Sequence, residues 1–421
     1  MKSKHTFNYI FGSASQALFP IILFPILTRT IDKNNFGNLI TAISIATVLS
    51  YVFSLGLPAI IARQIIFDQK NAEKLKNYVN QLSSLILIII YIINVIIIFL
   101  PVSSTFKTII FVITGGIFLS FAQIKLSIYR SEFKSYLFVL LSIGSNGLPL
   151  LITTFLTKFT KIDSLIVYFF TMYSIILLFS NPKVNSNLSG NIKLKPLIKS
   201  SYPMIAHGVA ISLFQYGDKI AGYFGSNSLI AAEIGILSLI LTGPVLLLNT
   251  LNNVWLPSSL EKFRVGLKKG FAYSNQIANR LSLIISLVVI AILLLLNKIL
   301  EIYVSKDYDV LLIEKTLIGS IFITPLYVIY LQNSHLITVK KNFKILGIAT
   351  PITSTIQFLL TYVLVEHIGL IAVGYGFIAA IFLQVILTSI FSKNIKNVSL
   401  APIYYTLSLG IFSYFVYVFR F

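Results

Sequence analysis

Runs of roughly twenty apolar residues follow one another from Thr6 to Phe419, each closed by a short cluster of charged, Pro, Asn or Gly residues. That is the length an α-helix needs to cross a hydrocarbon core, and a helix can span lipid because it satisfies its own backbone polar groups. The pattern predicts membrane helices over 6–28, 36–60, 79–100, 106–130, 136–157, 162–180, 202–224, 228–255, 275–297, 311–333, 345–366, 369–391 and 401–419. The longest polar connections, 62–78, 181–199 and 256–274, read as loops and fall on one side. No loop on the other side exceeds about a dozen residues.

Composition sharpens this picture. Hydrophobic residues make up 56% of the chain and charged residues 11%, less than half the charged share of a soluble domain. A soluble catalytic domain is excluded. A membrane glycosyltransferase or polymerase would need a sizeable outer loop for its catalytic groups, so the chain reads as no enzyme. The net charge of +20 first suggests nucleic acid, but its placement points elsewhere. With the N-terminus cytoplasmic, 23 of the 33 Lys and Arg residues lie on the inner side and nine on the outer, with Lys219 inside a span. This is the positive-inside bias of a multi-pass protein whose basic loops meet anionic membrane lipids; no nucleic acid is expected.

Cysteine is absent and the four histidines are scattered, so no disulfide, thiolate or metal site is expected. No Walker motif occurs, which excludes an ATPase in this chain, and no cofactor is expected. Gly374-Tyr375-Gly376-Phe377-Ile378-Ala379 mimics a dinucleotide fingerprint but lies inside an apolar run, where it reads as helix packing. The basic start Met1-Lys2-Ser3-Lys4 is not followed by a cleavage site, so the first helix reads as a retained span.

The polar segment 181–199 separates six runs from the rest, and the two sides share markers. Phe36-Gly37-Asn38-Leu39 returns as Ile234-Gly235-Ile236-Leu237, Leu57-Pro58 with Arg63 returns as Leu256-Pro257 with Lys262, and Arg130 to Lys134 returns as Lys340 to Lys344. The order is kept and the offset nearly constant, which indicates duplication. Six helices is an even number, so the repeat is parallel. The expected organisation is an all-α polytopic membrane protein. It has an N-terminal six-helix lobe over 1–180, a cytoplasmic linker over 181–199, a C-terminal six-helix lobe over 200–392, and an additional C-terminal span within 393–421.

The stretch Pro20 to Gly37 (PIILFPILTRTIDKNNFG), then Ser54-Leu55-Gly56-Leu57-Pro58 and Arg63, resembles the N-terminal signature of Wzx-type polysaccharide flippases. Asp218, Ile234-Gly235 and Trp255-Leu256-Pro257 extend the likeness through the second half. This family is the polysaccharide transporter branch of the multidrug/oligosaccharidyl-lipid/polysaccharide exporter superfamily. The resemblance implies two six-helix lobes around a central cavity. It also implies alternating access, and passage of an undecaprenyl-pyrophosphate-linked oligosaccharide to the outer leaflet of a bacterial inner (plasma) membrane in O-antigen and lipopolysaccharide biosynthesis. A polysaccharide polymerase and a chain-length regulator are the partners it implies. Members have twelve or fourteen spans, and thirteen are read here. The other function open at this point is a multidrug or small-solute exporter of the same fold, coupled to an ion gradient.

Charges inside a membrane each need a reason, since one costs about 2.5–3.5 kcal/mol on insertion scales. The five acids of the first half fall in loops or at helix ends, unlike those of a cation-coupled drug extruder. Asp218 lies well inside its span and is either an ion-coupling carboxylate or a buried packing group. Lys219 either lines the path and binds phosphate or reaches the outer surface. Arg63, Lys125, Arg130 and Arg280 stand near the inner membrane face on four spans. They either form a basic vestibule for a pyrophosphate or anchor topology. Arg29 is the same case at the outer end of the first span. Gln16, Gln123, Asn146 and Gln215 either meet sugar hydroxyls or bond between helices.

Overall fold

Every predicted run is occupied by a helix in the computed structural model, which describes residues 3–58, 60–61, 65, 69–160, 162–180, 194–340, 342, 344–392 and 398–421. Among these residues the helices are α1 (Ser3–Thr30), α2 (Lys33–Phe53), α3 (Gln69–Phe99), α4 (Ser104–Ser131), α5 (Ser135–Phe159), α6 (Ser164–Leu178), α7 (Leu194–Gly225), α8 (Ser228–Val265), α9 (Leu267–Tyr303), α10 (Val310–Val339), α11 (Leu346–Ile368), α12 (Ile371–Ser392) and α13 (Ala401–Arg420). Ten are long and apolar enough to cross a membrane: α2, α4, α5, α8 to α13, and α3 over Leu75–Phe99. Leu18–Thr30 of α1 and all of α6 are shorter apolar helices. The chain is an all-α, multi-pass membrane protein.

Side chains that cap helix starts explain several acids that the apolar runs exclude. Asp32 accepts from the Asn35 backbone N–H at 2.9 Å, Asp163 from Leu165 at 2.8 Å and Asp309 from Leu312 at 2.9 Å. Each satisfies a donor that the first helical turn leaves open.

Among the described residues two spans depart from regular α-helix, and both contain proline. In α5, Ile143–Gly147 widens into a π turn immediately before Leu148-Pro149. Proline supplies no N–H to the preceding turn, and the i→i+5 pattern accommodates that loss. In α10, Ile321–Leu326 tightens into a 3-10 turn around Pro325.

The chain divides into two compact units. One comprises Met1–Leu23 with Asn38–Ser212, the other Phe24–Gly37 with Leu213–Phe421. In the first unit, Phe118 stacks on Tyr173 with centroids 4.3 Å apart. The Tyr173 hydroxyl meets the Phe111 carbonyl at 2.7 Å and Thr114 Oγ1 at 2.8 Å. Thr114 also donates to Asn94 of α3 at 3.2 Å. Lipid is as apolar as leucine, so close packing and such interhelical hydrogen bonds hold membrane helices together.

In the second unit α8 and α10 are the most enclosed spans, while α9 and α13 present wide apolar faces outward. The additional C-terminal helix α13 packs on α9, α10 and the 3-10 turn. Its last residue, Arg420, pairs with Glu314 and donates to Asn297 Oδ1 at 2.8 Å and the Leu293 carbonyl at 3.1 Å.

Candidate functional site

Asp218, on α7 seven residues before the helix ends at Gly225, is 2% exposed. Both of its oxygens are engaged from α11: Gln357 Nε2 donates to Oδ2 at 2.8 Å and Thr361 Oγ1 to Oδ1 at 3.0 Å. The same Gln357 amide reaches the Phe214 carbonyl at 3.3 Å, while its own Oε1 is buried without a hydrogen-bond partner. Gly376 of α12 makes room for this group, since a Cβ there would stand 2.9 Å from Thr361 Oγ1 and 3.1 Å from the Gln357 carbonyl. A carboxylate, a hydroxyl and an unpartnered amide oxygen are hard donors of the kind that suit small cations.

Lys219, the next residue, points another way, as neighbours on a helix do. It is 8% exposed. Its ammonium donates to the Gln215 carbonyl at 3.1 Å and lies 5.3 Å from the centroid of the Tyr216 ring. No ion pair joins it to a carboxylate among the described residues. Gln215 is half-buried beside it.

In the first unit a lysine is buried as well: Lys125, on α4 six residues before the helix ends at Ser131. It is 5% exposed, its ammonium lies 5.3 Å from the Phe121 ring centroid, and it too lacks an ion pair among the described residues. The nearest acid in sequence, Glu132, is committed elsewhere: Lys76 pairs with it at 2.6 Å and Lys134 at 2.7 Å. Burial pushes the Glu132 carboxyl up, but the hydrogen bonds from Lys134 and Lys76 outweigh this and hold it below its ordinary value. Arg130, on the same helix, is exposed, with its guanidinium 5.0 Å from the Phe138 ring centroid.

Gln123 donates to Ser50 Oγ of α2 at 2.6 Å, and Asn146, within the π turn, donates to the Ser142 carbonyl at 3.2 Å and Ser145 Oγ at 2.9 Å. Arg63 and the side chain of Gln16 lie outside the described residues.

Arg29 and Arg280 are not neighbours. The Arg29 guanidinium donates to the Pro25, Ile302 and Glu301 carbonyls, closing the C-terminal end of α9, where a cation meets the negative end of the helix dipole. Arg280 is exposed on that same helix about 22 residues earlier, which at 1.5 Å per residue is roughly 33 Å away. Beside Arg29, Lys33 pairs with Glu233, donates to the Asp307 carbonyl at 3.0 Å, and lies 5.0 Å from the Tyr308 ring centroid. Glu233 also accepts from the Asp309 N–H at 3.2 Å. Sequence reasoning named neither this pair nor Gln357 and Thr361. The available signals were a Glu inside the eighth apolar run and a Gln inside the eleventh.

No family model matches the sequence, and no curated protein matches it. Solved structures do. A MATE transporter crystallised in complex with MaL6 aligns at a TM-score of 0.63 and 13% identity over 98% of this chain and 95% of that one. An inward-facing multidrug resistance MATE family transporter of the MOP superfamily aligns at 0.59 and 14% over 98% and 96%. A MOP superfamily transporter from Pyrococcus furiosus, whose binding pocket of reversed polarity suggests a different function, aligns at 0.57 and 14% over 93% and 95%. The chain has the fold of these transporters along essentially its whole length.

Proposed function

We propose that the protein is a flippase that carries an undecaprenyl-pyrophosphate-linked oligosaccharide from the cytoplasmic to the outer leaflet of a bacterial inner membrane by alternating access, supplying surface polysaccharide. The observation that carries this reading is Lys125, a lysine buried within a membrane helix with no carboxylate paired to it among the described residues. An uncompensated ammonium in lipid is costly unless an anion arrives, and a pyrophosphate is such an anion. Lys219, towards the other end of the membrane on the orientation that the charges favour, is a second buried lysine without an ion pair among the described residues. Both would repel the cationic drugs that an extruder takes. Gln123 and Asn146 offer polar edges for sugar hydroxyls.

A second reading, a multidrug or small-solute exporter coupled to an ion gradient, draws on one specific feature. Asp218, Thr361 and Gln357 form an oxygen-rich cluster suited to a coupling cation, and two solved structures of this fold are of multidrug resistance transporters.

Reconstitution into liposomes tests the two. With a fluorescent lipid-linked oligosaccharide, Lys125→Gln should lower flipping by at least about tenfold, as expected from loss of a charge-assisted phosphate contact, while Lys125→Arg retains most of it. Efflux of cationic dyes with no flipping by the native protein would overturn the flippase in favour of the exporter.

A further inference from the structure

The segment 256–274 reads from sequence as a loop, but the chain there is two helices that meet at the single residue Gly266. Helix α8 has 38 residues and α9 has 37; at 1.5 Å per residue each is about 56 Å long, against a hydrocarbon core of about 30 Å. The apolar run of α8 extends to Trp255. Val265 is ten residues further on, about 15 Å along the axis. Headgroup layers add only about 5–7 Å on each side, so the apex of the hairpin stands beyond the headgroups. On the orientation that the charges favour, it stands in the cytoplasm.

This projection is built, not frayed. Phe263 is buried against α9, where Gly270 gives it room: a Cβ at position 270 would drive into its ring. Phe271 closes the contact edge-on, with centroids 5.3 Å apart. The apex held by this wedge exposes Val265 (64%) and Leu267 (57%). Lys262, Arg264, Lys268 and Lys269 flank them in the chain, all exposed, and Glu261 is the one acid between residues 260 and 270. Among the described residues none of the four cations has an ion-pair partner.

We propose that the α8–α9 apex is a docking knob for a cytoplasmic protein whose matching face is an apolar depression rimmed by carboxylates. An anionic lipid surface fits less well. Val265 and Leu267 stand too far out to enter hydrocarbon, and lipid charge is screened within about 8 Å at physiological ionic strength. An apolar centre with a charged rim is the anatomy of a protein interface, and the uniform positive sign favours encounter with an acidic partner. The inference does not depend on what the protein transports.

A photo-crosslinking amino acid placed at Leu267 in intact cells, with Ala272 on the same helix as control, is the test. The expected result is one discrete adduct to a soluble protein, identified from its peptides, with little from position 272. The purified partner should then bind the full-length protein in lipid nanodiscs. That binding should weaken at least about tenfold with raised salt or in Lys268→Glu/Lys269→Glu, as interfacial charge complementarity requires. Val265→Ser/Leu267→Ser, which keeps every charge, should weaken it as well. An unchanged melting temperature establishes that each variant is folded. Adducts confined to phospholipid or to a second copy of the chain, no excess over position 272, or binding that survives both double substitutions would overturn the proposal.

Discussion

Gln357 of α11 donates from Nε2 to Asp218 Oδ2 of α7 at 2.8 Å, tying the one acid of α7 to a residue 139 positions away. Gln357→Leu removes that donor and leaves a charged oxygen buried without it. Such a loss costs about 1–3 kcal/mol, so the melting temperature in detergent should fall. Asp218→Asn retains a group that can still bond with Gln357 and Thr361, and should fold. If Asp218 holds a coupling cation, the same Asn variant should lose ion dependence of transport. Unaltered ion dependence in a folded Asp218→Asn protein would leave the carboxylate a packing group.

Lys33 and Glu233 form the most buried of the ion pairs found among the described residues, with side chains 17% and 5% exposed. Removing one member strands the other, at about 3–5 kcal/mol for a buried pair. Lys33→Met alone should therefore destabilise strongly, and Lys33→Met/Glu233→Gln should recover much of the loss. A double-mutant cycle by thermal unfolding checks this, and a coupling energy near zero would show the pair to be incidental.

Orientation can be read directly, because the chain has no cysteine of its own. Single cysteines at 70, 268 and 341 should be shielded from an impermeant thiol reagent in intact cells, and those at 161 and 306 should react. Labelling at 268 from outside would invert the topology and move the α8–α9 apex to the opposite face.

The helices were legible because lipid imposes one length on every span. The end of each helix was not, because hydropathy marks where the chain leaves lipid and not where it stops being helical. Residues 256–274 are polar yet helical, held by Phe263 against Gly270. Asp218 stood out as a lone intramembrane acid, but its partners Gln357 and Thr361 are a tertiary fact with no local sign. Arg29 shows the opposite limit. Its place at a helix end was readable, whereas its engagement with the Glu301 and Ile302 carbonyls depends on a segment more than 270 residues away. The turn irregularity in α5 was half legible: Pro149 announces a break, and the π geometry follows from how the preceding residues absorb it.

The buried lysines also bear on what would drive the proposed transport. If the protein is the flippase proposed above, a pyrophosphate carrying about two negative charges leaves a cell whose interior is negative, and each charge crossing the full field gains about 2.3 kcal/mol per 100 mV. The potential alone would then supply about 4–5 kcal/mol per event, provided the cations that shield the phosphates stay with the protein. Lys125 and Lys219 are suited to this, because each is fixed on a membrane helix and lacks a competing ion pair among the described residues. Flipping in liposomes with a clamped potential should accelerate when the interior is negative and slow when it is positive. Lys125→Gln/Lys219→Gln should abolish flux without lowering the amount of folded protein, whereas Arg130→Gln, an exposed position, should only reduce it. Flux that ignores the potential and persists in the double variant would refute this mechanism and leave an ion gradient acting through Asp218 as the source of drive.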